Sequence, residues 1–220
     1  GTWTVRETTC TGASDQRFSQ SPVSVFESGL LRDELANGDL VIETPFTIHG
    51  NLDYLGGRVV LAPGASLTVR QSLVSGDFLC GGNEVRFEAG SYLFRGTMDS
   101  GVLSGIARAS SAFSFTGGLT ILDTLTHSIG GSHLSIEGTL VNHGLIRNDG
   151  YGLTIALAGD LECTGTFTNS YIDMDGSIER RLRMGPDGNL DTILLLPEFG
   201  DGSLVVETAA DSGAAFDQHL

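Results

Sequence analysis

The sequence predicts an all-β chain wound as a parallel β-helix, a β-solenoid of about seven coils. Three observations lead there. A seven-residue block recurs seven times, beginning at Phe46, Ser72, Tyr92, Phe113, Leu134, Ile155 and Ile172. Its starts are separated by 26, 20, 21, 21, 21 and 17 residues, and a near-constant period of this length marks a solenoid. Within each copy apolar and polar residues alternate, as in a strand buried on one face. A glycine stands at the fifth place of every copy: Gly50, Gly76, Gly96, Gly117, Gly138, Gly159 and Gly176. It shares the inward parity of the apolar residues and lets the backbone bend, as at a corner between two flat faces. A β-sandwich also alternates, but has no reason to keep one period through consecutive copies.

A second register repeats at the same interval. Gly138, Leu140, Gly144, Ile146 and Asn148 return 21 residues later as Gly159, Leu161, Gly165, Phe167 and Asn169. A looser echo carries Val59, Leu61, Gly64 and Leu67 to Val85, Phe87, Gly90 and Leu93. About 21 residues accommodate three short strands and three bends. Seven laps stacked roughly 4.8 Å apart would make a rod about 30 Å long. The scheme predicts that Phe94, Phe115, Ile136 and Leu157 stand above one another.

The chain divides into 1–45, an N-terminal strand and helix cap; 46–178, the solenoid repeats; and 179–220, a C-terminal β cap or assembly tail. TWTVRETT near the start alternates as a strand does, and Cys10 to Ser21 reads as loop. Glu27 to Gly38 predicts a short helix covering the open end of the coil. Leu30, Leu31 and Leu35 fall on one side, Ser28 is placed to cap its start, and Asn37-Gly38 to stop it. The 26-residue step between the first two blocks contains Gly56-Gly57 and Pro63-Gly64 and predicts a bulging loop. Gly101 to Ala112 is weakly patterned but fits within one lap. After Asp175 the pattern changes to an arginine-rich segment, two apolar stretches and a small, acidic last dozen residues that read as mobile.

Composition narrows the partners. The net charge is −15, which disfavours nucleic acid and anionic membranes and opposes edge-to-edge aggregation. All 12 basic residues are arginine. No apolar run approaches a membrane span. The chain opens at Gly1 with neither Met nor a leader, which fits an exported protein whose signal is gone or a trimmed chain. Cys10, Cys80 and Cys163 match no zinc or redox spacing. Three buried thiols, or one disulfide and one free thiol, both fit.

No catalytic motif, cofactor fingerprint or metal motif is present, so the expectation is no enzyme, no cofactor and no metal. The outward column three places before the glycine reads Thr47, Leu73, Leu93, Ser114, Ser135, Ala156, Asp173. The column one place before it reads His49, Ser75, Arg95, Thr116, Glu137, Ala158, Asp175. Both are too mixed for an ice-binding face. Asp173 and Asp175, with Glu137 two laps earlier, are the candidate acids for a carbohydrate-active or cation site; the plainer reading is a solvated face, or partners for Arg180, Arg181 or Arg183. His127, His133 and His143 lie near turns, and a zinc site would need three or four such ligands to converge. The Arg180-Arg181-Arg183 group reads either as local pairing with acids or as a salt-sensitive contact to the acidic face of a neighbouring molecule.

LSIEGTLVNHGLIRNDG from Leu134 and LTIALAGDLECTGTFTN from Leu153 resemble the repeats of bacterial secreted parallel β-helix proteins, the filamentous-haemagglutinin-like and autotransporter-passenger-like adhesins. The resemblance covers Gly38 to Gly176 and implies a right-handed winding, export and a structural or adhesive role at the cell surface. The leading expectation is a non-catalytic subunit of an extracellular filament or surface layer, self-associating into a homopolymer through its solenoid ends. The alternatives are a monomeric adhesin or glycan-binding module and, behind it, a carbohydrate-active enzyme.

Overall fold

The computed structural model describes residues 2–5, 8–19, 21, 25–35, 38–70, 73–88, 91–110, 113–127, 133–148, 153–168, 170–174, 179–189, 192–195 and 203–208. Every helix or strand element among them is a β-strand, and each strand pair is parallel. In chain order the strands are β1 (Thr2–Val5), β2 (Thr8–Gly12), β3 (Gln16–Phe18), β4 (Val25–Leu35) and β5 (Asp39–Ile42). Then come β6 (Phe46–Leu61), β7 (Leu67–Arg70), β8 (Leu73–Leu79), β9 (Glu84–Glu88), β10 (Tyr92–Met98), β11 (Gly101–Ala109) and β12 (Phe113–Phe115). Three regular laps follow: β13 (Leu119–Ile121), β14 (Thr124–His127), β15 (His133–Ile136); β16 (Leu140–Asn142), β17 (Leu145–Asn148), β18 (Leu153–Leu157); β19 (Leu161–Cys163), β20 (Thr166–Thr168), β21 (Ser170–Met174). β22 (Arg180–Met184), β23 (Thr192–Leu195) and β24 (Leu204–Thr208) complete the series.

The ladders define three faces. The first passes from β1 through β7, β9, β13, β16, β19 and β22 to β24. The second includes β2, β14, β17 and β20; the third includes β3, β5, β12, β15, β18, β21 and β23. Between β6 and β21 the chain makes about seven turns, a parallel β-solenoid.

Side chains of one parity fill the interior as vertical columns. On the third face Leu40, Val59, Phe78, Met98, Phe115, Ile136, Leu157 and Met174 succeed one another rung by rung, all buried. On the first face Phe46, Leu67, Val85, Leu103, Ile121, Asn142, Cys163 and Met184 do the same. Burying one such side chain contributes about 1.5–3 kcal/mol, and each is shielded by the laps above and below. Buried Asn142 stands in this apolar file because the corner needs it: its Oδ1 accepts from the Gly144 N–H at 3.1 Å and its Nδ2 donates to the Thr166 carbonyl at 3.3 Å.

Phe115, Ile136 and Leu157 stack as the sequence predicts, but Met98, not Phe94, lies beneath Phe115. The pairing of β8 with β10 shifts between Leu93 and Arg95, and an extra residue reverses strand parity on one side of it. Leu93, expected outside, is buried, and Tyr92, expected inside, is half-exposed.

The glycine block itself occupies three different corners. Gly50 turns the chain from first face to second within β6, Gly76 and Gly96 from second to third within β8 and β10, and Gly117, Gly138 and Gly159 from third to first. A block one third of a lap long fits any side, so sequence likeness does not reveal which side it is on. This accounts for the 26-residue step. The predicted bulge falls at a corner of β6, where the stretch from Asp53 to Arg58, which holds Gly56-Gly57, carries three residues more than the stretch of β8 from Ser75 to Asp77, while Pro63-Gly64 is a turn. Gly50, Gly76 and Gly96 have φ of 128, 133 and 130°, which favours glycine.

The predicted N-terminal helix is instead the strand β4. It pairs with β1 and β2 on one edge and with β6 on the other. A lone helix of this length is marginal in water, whereas these residues gain a ladder on both edges, and tertiary context overrides the helical spacing of the leucines. Part of Cys10 to Ser21, read as loop, is strand as well, in β2 and β3. At the other end β22, β23 and β24 carry on the same ladders, so the described part of the expected cap is more solenoid. The last twelve residues, read as mobile, lie outside the described residues.

Candidate functional site

The winding separates most of the residues that sequence reasoning had grouped. Asp173 sits in β21, above Ala156 and below Leu194; Asp175 lies outside the described residues. Glu137 is exposed just after β15 and donates its N–H to the Phe115 carbonyl at 2.8 Å. It lies two rungs from Asp173, roughly 10 Å along the stack. Glu137 and Asp173 therefore do not converge across one reacting bond.

The three histidines lie at different places in the winding. His127 pairs with Asn148 in the second-face ladder, and His133 opens β15 opposite Thr154. His143 is in the turn after β16, its Nδ1 2.8 Å from the Thr164 Oγ1. No cluster of three or more His, Cys, Asp or Glu placed to hold a metal occurs among the described residues. No helix among them is long and apolar enough to cross a membrane.

Arg181 and Arg183 pair locally, with glutamates rather than with the aspartates proposed from sequence. Arg183 reaches Glu162 at 2.6 Å and Glu207 at 2.9 Å; Arg181 reaches Glu179 at 3.2 Å and Glu207 at 3.4 Å. Glu162, Arg183 and Glu207 occupy successive rungs of one outward column. Those glutamates raise the Arg183 pKa above its ordinary value, through hydrogen bonds first and charge second.

Many of the acids join laps. Asp99 Oδ1 accepts from the Cys80 N–H at 2.6 Å, Asp123 Oδ2 from Gly105 N–H at 2.7 Å, Asp77 Oδ1 from Thr97 N–H at 3.1 Å and Asp160 Oδ1 from Arg181 N–H at 2.9 Å. Each carboxylate holds a backbone donor of an adjacent coil where the chain leaves the regular ladder. Part of the negative charge is thus structural.

All three cysteines are free and buried, which selects the three-thiol reading. Burial, then the charge of Asp99, pushes the Cys80 thiol up to about 12; burial also raises Cys163, whose Sγ donates to the Gly165 carbonyl at 3.2 Å. Thiols held protonated in this way are poor nucleophiles.

The surface columns read from the glycine block hold only from Phe113 onward, where Ser135, Ala156 and Asp173 do stack. Before that the block lies on other faces. A different surface, missed for this reason, is the outside of the second face. Ile106 pairs with Thr124, Thr124 with Leu145 and Leu145 with Thr166; beside them Arg108, Thr126, Arg147 and Thr168 run in parallel. Ala107, Leu125, Ile146 and Phe167 between the two columns point inward and are buried. The face is corrugated. A ridge of one apolar residue and one arginine alternates with a trough of two threonines, repeating every two rungs.

The two ends are the remaining distinctive features. Leu140, Leu161 and Leu182 form a fully buried column, yet the next member, Val206, is 42% exposed. No strand among the described residues pairs the outer edges of β1, β2 and β3, or of β23 and β24. Comparison with protein-family models, with curated proteins and with solved structures yields no match.

Proposed function

We propose that this chain is a non-catalytic structural subunit of an extracellular filament or surface layer, joining head to tail through its solenoid ends. The observation that supports this reading most directly is the partial exposure of Val206 at the end of an otherwise dry column. Strand edges with unused hydrogen-bonding groups, set beside apolar side chains, are templates for strand addition. The contact would be heterologous, first-lap edge to last-lap edge, and such contacts propagate when they do not close. The likeness of the repeats to secreted β-helix surface proteins supports export and a right-handed winding.

Negative-stain microscopy across protein concentration and salt tests the reading. Filaments or laterally ordered layers are expected, and Val206→Asp, at the terminal rung, should shorten or abolish them while the circular dichroism stays that of a β protein. Particles that remain monomeric at every concentration and salt would overturn it. A monomeric adhesin or glycan-binding module is the second reading, favoured by the corrugated second face alone.

A further inference from the structure

We infer that the corrugated second face is a binding surface for an extended acidic polysaccharide whose carboxylates recur on every second sugar. Arg108 and Arg147 are exposed, two rungs apart, on either side of Thr126, which is only 1% exposed and forms the trough floor. Two rungs span roughly 9.6 Å, close to the advance of one disaccharide in an extended chain. A glycan lying along the solenoid axis would meet the Arg108 and Arg147 guanidinia one disaccharide apart, with half-buried Thr124 on the rung between them.

The chemistry beside the arginines fits the same occupant. Ile106, 52% exposed, flanks Arg108, and half-buried Leu145 flanks Arg147. They present apolar surface to the C–H faces of sugar rings, while the half-buried Thr124 hydroxyl matches a ring hydroxyl. Arg108 has no ion-pair partner among the described residues, nor does exposed Arg95 on the preceding lap. In a chain of net charge −15 this is a local reversal of sign. The overall charge acts weakly beyond a Debye length of about 8 Å at physiological salt, so the contact is short-range.

An extended acidic peptide is the poorer fit. Peptides join sheets by adding a strand at an edge, and β14 and β17 are hydrogen-bonded on both edges. A regular two-rung corrugation also matches a covalent repeat better than an irregular protein surface.

The test is calorimetric titration of the full chain, at about 0.15 M salt, with hyaluronan oligosaccharides, a neutral cello-oligosaccharide and oligothymidylate. Binding of hyaluronan alone is expected. Arg108→Gln and Arg147→Gln should each weaken it about tenfold, the scale of a charge-assisted hydrogen bond. Arg86→Gln, on the first face, should leave it unchanged. Absence of hyaluronan binding overturns the inference, as does an affinity in both arginine variants unchanged from that of the native chain. Equal binding of oligothymidylate would reduce the face to an unselective anion strip. Concentration-dependent association lost in Arg147→Gln would assign it to a second copy instead. Because these variants lie on a flank, filament formation should persist in them, and the two proposals fail separately.

Discussion

Gly159 lies directly over Gly138: a Cβ placed on Gly159 would overlap the Gly138 carbonyl, and one on Gly138 would overlap the backbone at Gly117. Three successive laps turn the third-to-first corner with no space for a side chain between them. Gly159→Ala should therefore lower the unfolding free energy by about 1–3 kcal/mol, the usual cost of forcing atoms into a packed site. Gly118→Ala, whose Cβ would meet only the Thr139 carbonyl at 3.5 Å, should be nearly neutral. Denaturant midpoints at constant m-value measure both, and equal losses would sink the close-approach argument.

Met98 beneath Phe115 is the register that the sequence misassigns. The Phe115 ring also meets Phe113 edge-on, with centroids 5.5 Å apart. Phe115→Ala should cost about 3–5 kcal/mol. A double-mutant cycle of Met98→Ala with Phe115→Ala should show coupling of about 0.5–3 kcal/mol. Zero coupling would argue against this stacking.

Asp99 accepts from the Cys80 N–H of the preceding lap. Asp99→Ala leaves that donor without its acceptor beside the core, a loss of about 1–3 kcal/mol. Hydrogen exchange at the Cys80 amide should accelerate while amides in β18 and β21 keep their protection.

Glu88 stands between Arg70 and Arg86, at 2.6 and 3.0 Å, and the Arg70 hydrogen bond is the main cause that holds its carboxyl below the ordinary glutamate value. A depressed folded pKa gives stability that is fully present above the unfolded value and is lost as pH falls through the folded one. The difference between the native chain and Glu88→Gln should thus be up to about 1 kcal/mol at neutral pH, vanish on acidification and shrink in high salt. Denaturant titrations from neutral to strongly acidic pH read it directly.

Burial that pushes Cys80 up to about 12 predicts slow alkylation of the native protein at pH 8. All three thiols should react together once denaturant unfolds the laps. Rapid labelling of one thiol in the native state would contradict the buried placement of that residue.

The registers from Phe113 onward were legible because three laps of 21 residues place Leu140 under Leu161 and Ile146 under Phe167, as periodicity requires. Earlier laps were not, because β6, β8, β10 and β11 each cross a corner, and their lengths differ. The corrugated face escaped notice for a related reason. Its residues belong to the weakly patterned Gly101 to Ala112 and to the outward places between members of the second register, such as Gly144 and Ile146, and only stacking makes Arg108 and Arg147 neighbours of one threonine.

Alternation, glycine spacing and a period near 21 are local properties of the chain, and by themselves they determined that it is all β and winds in repeated laps. Tertiary structure alone decided which corner each glycine turns, that Glu27 to Leu35 is strand rather than helix, and which outward side chains share a face. The physical reason is that a seven-residue side carries the same inward and outward pattern wherever it sits. The laps above and below, through their hydrogen bonds and the space they leave, choose its place.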